Sequence, residues 1–159
     1  MTDQDHLHMR AAIAASAQAR ERGDMPFGAV LAAPDGRALM TAMNNQVTTH
    51  DCTGHAELVL VREAQRELGD AALAGATVYA SGEPCAMCAG AMFWAGIARV
   101  VYAASTPEID AALGGASLGA RCADVLAKAA PAMKVEGPLL GAEAVAVWVL
   151  QGKDWQGKD

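Results

Sequence analysis

The sequence predicts an α/β protein whose second half holds parallel strands covered by helices on both faces. Short apolar runs alternate with stretches of helical spacing along the second half, the pattern of strands joined by helical crossovers. One strong turn, Pro34-Asp35-Gly36-Arg37, separates two strand-like runs near the start and predicts a β-hairpin. At 159 residues, 53% of them hydrophobic, the chain is long enough to bury a core as one domain over 1–159.

The elements follow in order. Residues 4–22 read as a helix, with Thr2 or Asp3 as its N-cap, Ala, Leu, Ile and Met at helical spacing, and Gly23 as its stop. Residues 27–33 and 38–43 are the hairpin strands, and the polar stretch 44–54 is a loop. A helix is expected over 55–68, then a strand over 76–80 with β-branched and aromatic content. Residues 85–95 read as helical, 98–103 as a further strand, and 107–130 as weaker helical segments. Repeats and linkers are not seen.

Charge and targeting signals narrow the function. A net charge of −6, with Lys and Arg scattered, opposes a nucleic-acid partner, because phosphate neutralisation supplies most of the affinity of such proteins. No apolar run approaches the roughly 18–20 residues that span a bilayer. The N-terminus is polar and acidic, unlike a signal peptide, so a cytoplasmic location is expected. In a reducing compartment, paired cysteines point to metal or catalysis rather than to structural bridges.

Cys85 and Cys88 open one expected helix behind Pro84, and His55-Ala56-Glu57 opens another. Residues at i and i+3 share a helix face, so the two thiols can hold one ion, and the helix start favours thiolates. His55 as third ligand completes a Cys2His zinc set with an open fourth position, the mark of a catalytic rather than a structural site. Zinc in such a site lowers the pKa of a water from 15.7 to about 7. Glu57 is not needed as a ligand and is placed to carry the water proton to a substrate nitrogen.

Other readings of the same residues stand beside this one. The cysteine pair could be a thioredoxin-like redox couple, but that leaves His55 and Glu57 unexplained, or two core thiols. A structural zinc needs a fourth ligand, for which Cys52 and Cys122 are candidates, although both are more often plain buried cysteines. His6, His8 and His50 are expected on the surface or in ordinary hydrogen bonds.

His-x-Glu followed by Pro-Cys-x-x-Cys is a signature of zinc-dependent nucleobase deaminases. From about residue 25 to 104 the sequence resembles the cytidine deaminase-like superfamily, in the branch holding bacterial guanine deaminases and tRNA adenosine deaminases. The likeness rests on Pro26-Phe27-Gly28-Ala29-Val30, on Asn44 with His50 to Glu57, and on Glu83 to Met92. It implies a three-layer α/β/α sandwich around a five-stranded mixed sheet, and a homodimer. It also implies zinc as the cofactor on His55, Cys85 and Cys88, with Glu57 as the catalytic proton shuttle. Asn44 would hydrogen-bond the base, with the backbone of Ala56 and the ring of Phe27 lining the pocket; Asn44 could otherwise be a turn residue.

The resemblance extends less evenly to the substrate. Asn44-Asn45-x-Val47-Thr48-Thr49 and Phe93-Trp94-Ala95 look more like guanine deaminases than tRNA editors. Trp94 would give a flat ring a partner, or sit in the core. Trp148 and Trp155 resemble the aromatic tail that closes over the pocket in guanine deaminases, in some of them from the partner subunit. One departure stands out. Those enzymes carry an acidic residue shortly after the fourth strand, whereas residues 111–119 here hold no carboxylate; Glu108 and Asp110 lie just upstream. Unpaired guanine donors would cost about 1–3 kcal/mol each. The expected activity is deamination of a free small-molecule nucleobase, guanine first. Another aminated ring (a pyrimidine base or aminotriazine), tRNA adenosine, or a catalytically silent zinc-binding or assembly protein are the alternatives.

Overall fold

The computed structural model describes residues 1–149. Helix α1, Asp3–Glu21, starts on a capping box in which the Thr2 hydroxyl accepts the Asp5 N–H and the Asp5 carboxylate accepts the Thr2 N–H. The hairpin strands are β1, Gly28–Ala32, and β2, Ala38–Met43, paired antiparallel. Gly36 turns the chain between them with φ +91, which a side chain would resist. The expected loop 44–54 contains a short helix α2, Gln46–Thr49, and His55 precedes α3, Ala56–Leu68.

A single turn, α4, Asp70–Leu73, leads to β3, Thr77–Gly82; α5, Ala86–Ala95, then crosses to β4, Arg99–Ala104. The weak helical region resolves into α6, Thr106–Leu113, and α7, Cys122–Val125. Two elements beyond it, β5, Lys134–Glu136, and α8, Gly141–Trp148, were not legible as periodic segments in the sequence. Trp155 lies outside the described residues.

The five strands form one mixed sheet in the order β2-β1-β3-β4-β5. The β1–β2 and β1–β3 pairs are antiparallel, and β3–β4 and β4–β5 are parallel, as a helical crossover requires. Alternate residues of each strand face opposite layers. Val30, Tyr79 and Val101 meet Met9, Ile13 of α1 and Val147, Trp148 of α8. Ala29, Leu31, Val78 and Val100 meet Leu60, Val61 of α3, Leu73 of α4 and Met92 of α5. The fold is therefore the α/β/α sandwich expected.

One buried charge network ties α1 to the amino ends of β3 and β4. Arg99 donates to both Asp5 carboxylate oxygens, at 2.9 and 3.1 Å, and to Glu136 at 2.7 Å, while Tyr79 donates its hydroxyl to Asp5 at 2.6 Å. The Arg99 hydrogen bonds hold the Asp5 carboxyl well below its ordinary value of 3.8 against the burial that pushes it up. A depressed carboxyl contributes stability above its unfolded pKa and loses it as pH falls toward the folded one. Asp5→Asn is thus expected to lower unfolding free energy by about 2 kcal/mol at neutral pH. It should also flatten the acid limb of a thermal-melt series; an unchanged limb would remove Asp5 from the account.

Candidate active site

The site forms where β3 ends and the chain turns into α5. His55 and Cys85 occupy equivalent places: each is the extended N-cap residue of its helix, α3 or α5, and neither helix is capped by a side-chain oxygen. An N-cap side chain sits over the free N–H groups of its helix start, and the Cys85 sulfur takes a backbone hydrogen bond from Cys88 there. Two helix starts, each a partial positive charge, therefore converge on the same donors. Cys88 follows one turn into α5 and is fully buried, beside Ala89 and Met92.

The His55 Nδ1 lies 3.5 Å from the Cys85 sulfur and 3.6 Å from the Cys88 sulfur, and the donor atoms all sit within 4.8 Å of one another. A tetrahedral ion about 2.3 Å from sulfur and about 2.0 Å from nitrogen separates nitrogen and sulfur by about 3.5 Å, so the cluster has the dimensions of a zinc site. The thiol chemistry agrees. The Cys88 hydrogen bond pulls the Cys85 thiol down to about 4, with His55 adding to it. The same contact, with burial, pushes Cys88 up. Two sulfurs sharing a proton in this way are relieved by a dication, which replaces that proton. His55, Cys85 and Cys88 fit Zn2+, and they are the one such group among the described residues.

Glu57 is 5% exposed and stands outside the ligand set. Burial raises its carboxyl to about 7, although the nearby His55 charge and a Cys88 hydrogen bond pull the other way. A carboxyl near neutrality can both take and give a proton. The structure thus brings together all four residues expected at the metal, with Ala56 buried between two of them.

Of the expected pocket residues, Asn44 and Phe27 are neighbours. The Asn44 N–H donates to the Phe27 carbonyl at 3.0 Å. The Asn44 side chain, 1% exposed, accepts the Gln46 N–H at 2.9 Å and donates to Gln46 Oε1 at 2.7 Å. The Phe27 ring packs over Gly82, where a Cβ would come within 2.7 Å of it, so only glycine admits the ring. Trp148 braces the other side, edge-on to Phe27 at 5.8 Å, with its indole N–H on the Pro26 carbonyl.

Trp94 and Asp110 are placed differently. Trp94 is 84% exposed, its ring edge-on to Phe93. Six residues beyond Cys88 at about 100° per residue, it falls about 120° around the helix from the buried Cys88–Met92 face. Asp110 is exposed on α6 and accepts the Ser117 hydroxyl at 3.1 Å. Glu108 is engaged in the α6 capping box with Ser105.

Several supporting residues escaped the sequence reading. Asp24, fully buried, accepts the Val47 and Thr48 N–H groups and the Thr48 hydroxyl, and so pins the segment after Asn44. Arg22 bonds both Asp24 and the Asn44 carbonyl. Glu83, beside the metal loop, was legible only as part of a motif. Cys122 is buried but Cys52 is exposed, and His8 bonds the Gly36 carbonyl at 2.7 Å.

Comparison with known proteins adds to this geometry. The profile described as the cytidine and deoxycytidylate deaminase zinc-binding region matches residues 2–104. A tRNA-specific adenosine deaminase of Bacillus subtilis is 40% identical over 105 residues, covering 66% of this chain and 65% of that protein, so less than two thirds of its length is spanned. A probable cytosine deaminase of Schizosaccharomyces pombe is 33% identical over 152 residues, covering 91% of this chain and 90% of the relative. The solved guanine deaminase of Bacillus subtilis superposes with a TM-score of 0.62 at 34% identity, covering 70% of each chain.

Proposed function

The chain belongs to the family of the cytidine and deoxycytidylate deaminase zinc-binding region, and from that premise we propose that it hydrolyses the exocyclic amine of a free nucleobase, guanine to xanthine and ammonia first. The observation that carries the reading is a buried carboxylate, Glu57, beside but outside a His/Cys/Cys zinc site. A structural zinc has no use for it.

His55, Cys85 and Cys88 would hold the zinc, which would supply a water acidified toward neutral pH. Glu57 accepts the proton of that attacking water and passes it to the ring nitrogen beside the amine-bearing carbon. It then carries the second proton to the departing amine, so that base and water become carbonyl product and ammonia. Asn44 would bond the edge of the base with the donor and acceptor capacity that Gln46 leaves free. The α3 N-terminus would offer the Ala56 N–H to developing negative charge, with the Phe27 ring against the base.

The acidic net charge of −6 supports a small substrate over tRNA. A homodimer belongs to the same reading, since α5 carries no charged residue and presents exposed Trp94. A second reading, cytosine, is favoured by the nearly end-to-end match to the fission yeast relative. Glu108 and Asp110 are both engaged by neighbouring hydroxyls, whereas guanine presents two ring-edge donors that need an acceptor. Ammonia release from zinc-loaded protein across guanine, cytosine, isocytosine, adenine, aminotriazines and tRNA decides. Guanine is expected to turn over fastest. Faster cytosine establishes the second reading, turnover of tRNA alone removes the free-base reading, and no turnover at all removes the enzyme.

A further inference from the structure

The turn from β3 into α5 is held by one buried carboxylate that the reaction does not use. Glu83 stands two residues before Cys85, and its side chain is 1% exposed. One oxygen accepts the Thr106 N–H at 2.8 Å, the other accepts the Cys122 N–H at 2.9 Å, and Arg121 Nε donates to both at 2.9 and 3.0 Å. The Glu83 N–H itself donates to the Ala104 carbonyl at 2.7 Å. Thr106 and Cys122 are the two ends of an arm, residues 105–122, that leaves β4, forms α6 and returns to α7.

The arm's other ties to the sheet include the Arg121 bond to the Tyr102 hydroxyl at 3.3 Å and the packing of Ile109 and Leu113 against the core beside α8. Ile109 approaches Gly82, and Glu108 spends its carboxylate on its own helix cap. Glycines 114, 115 and 119 lie in its outer part with positive φ. Glu83 thus ties both roots of a glycine-rich arm to the segment that delivers Cys85.

We propose that Glu83 is a positioning residue for the metal loop: it fixes the Cys85 sulfur by clamping the chain before it, and it couples order in the arm 105–122 to zinc retention. Pro84 has a fixed φ, so little freedom separates the clamp from the ligand. When the Glu83 carboxylate is replaced, at least one of the Thr106 and Cys122 N–H groups loses its acceptor and Arg121 loses its carboxylate partner, keeping the Tyr102 hydroxyl. The arm and the metal loop then relax together. The inference rests on the zinc site of the proposed deaminase but not on its substrate, and its test does not read turnover.

The zinc-loaded protein is mixed with excess 4-(2-pyridylazo)resorcinol well below its melting temperature, and zinc transfer is timed. Glu83→Gln keeps the shape but replaces one of the two acceptor oxygens with a donor, so that either the Thr106 or the Cys122 N–H meets an amide N–H and Arg121 faces no carboxylate; it is expected to release zinc about tenfold faster than the parent, the scale on which outer-shell partners act on metal affinity. Arg121→Ala, which leaves the Thr106 and Cys122 N–H bonds to Glu83 intact, is expected to fall between the two. Asp5→Asn is the control, because it breaks a comparable buried carboxylate at the opposite end of the same strands and should melt earlier yet release zinc at the parent rate. The cobalt-substituted Glu83→Gln protein should show altered ligand-field bands. Parent-rate release and unchanged bands in Glu83→Gln overturn the proposal. Equal acceleration in Asp5→Asn also overturns it, as the effect is then general destabilisation. If Glu83→Gln fails to fold, Arg121→Ala decides alone: intermediate release supports the clamp and parent-rate release removes it.

Discussion

Glu57→Gln is expected to lower kcat by about 10²–10⁴-fold, the range that a positioned proton carrier contributes, while the zinc content stays at the parent level. The two halves of that result have separate causes. Glutamine has nearly the shape of glutamate, and Glu57 is not among the ligand atoms, so His55, Cys85 and Cys88 keep their arrangement. What disappears is a group able to hold a proton and release it again. KM should change far less than kcat, since Glu57 acts on the moving protons rather than on the resting base. The metal-free variant should also melt no lower than the metal-free parent. A buried carboxyl raised to about 7 is destabilising where it must ionise, and the amide relieves that. Metal-loaded protein of parent activity would remove Glu57 from the chemistry.

The metal centre was legible because its parts are local. A histidine two residues before a glutamate, and two cysteines three apart behind a proline, fix their own geometry through the helix that each opens. The hairpin and the central strands were legible for the same reason, through turn chemistry and periodicity. What escaped depends on distant partners. Strand β5 is three residues long, Lys134–Glu136, and is a strand only because it lies beside β4. Helix α8 reads as an apolar run until Trp148 finds Pro26 and Phe27, more than a hundred residues earlier. Asp24 and Glu83 look like ordinary acidic residues; the backbone N–H groups they hold sit 23 to 39 residues away. Trp94 shows the limit of a motif: Cys88, Ala89 and Met92 make the buried face of α5, and Trp94's own position turns it outward. Burial is a property of the helix phase, which a matched residue name does not carry.

Cys85→Ser and Cys88→Ser should both lose zinc, but with different consequences for the fold. Serine offers a harder oxygen that is protonated at neutral pH, so a two-ligand remnant holds the ion more weakly by more than about a hundredfold. Turnover should fall with occupancy in both. Cys85 is half-buried at the N-cap of α5, where serine is itself a good capping residue. The hydroxyl can take an orphan N–H of the helix start, and Cys85→Ser is expected to remain folded with a modest loss in melting temperature. Cys88 has no exposed surface and packs inside the helix, where a hydroxyl must find an acceptor or remain unsatisfied. Cys88→Ser should therefore lose about 1–3 kcal/mol beyond the shared loss of metal binding. Metal analysis by mass spectrometry, set beside melts of chelator-treated parent protein, separates the two contributions. Full zinc occupancy in Cys85→Ser would overturn the ligand assignment. Equal melting temperatures for both variants would place the difference in burial outside the energetics of the site.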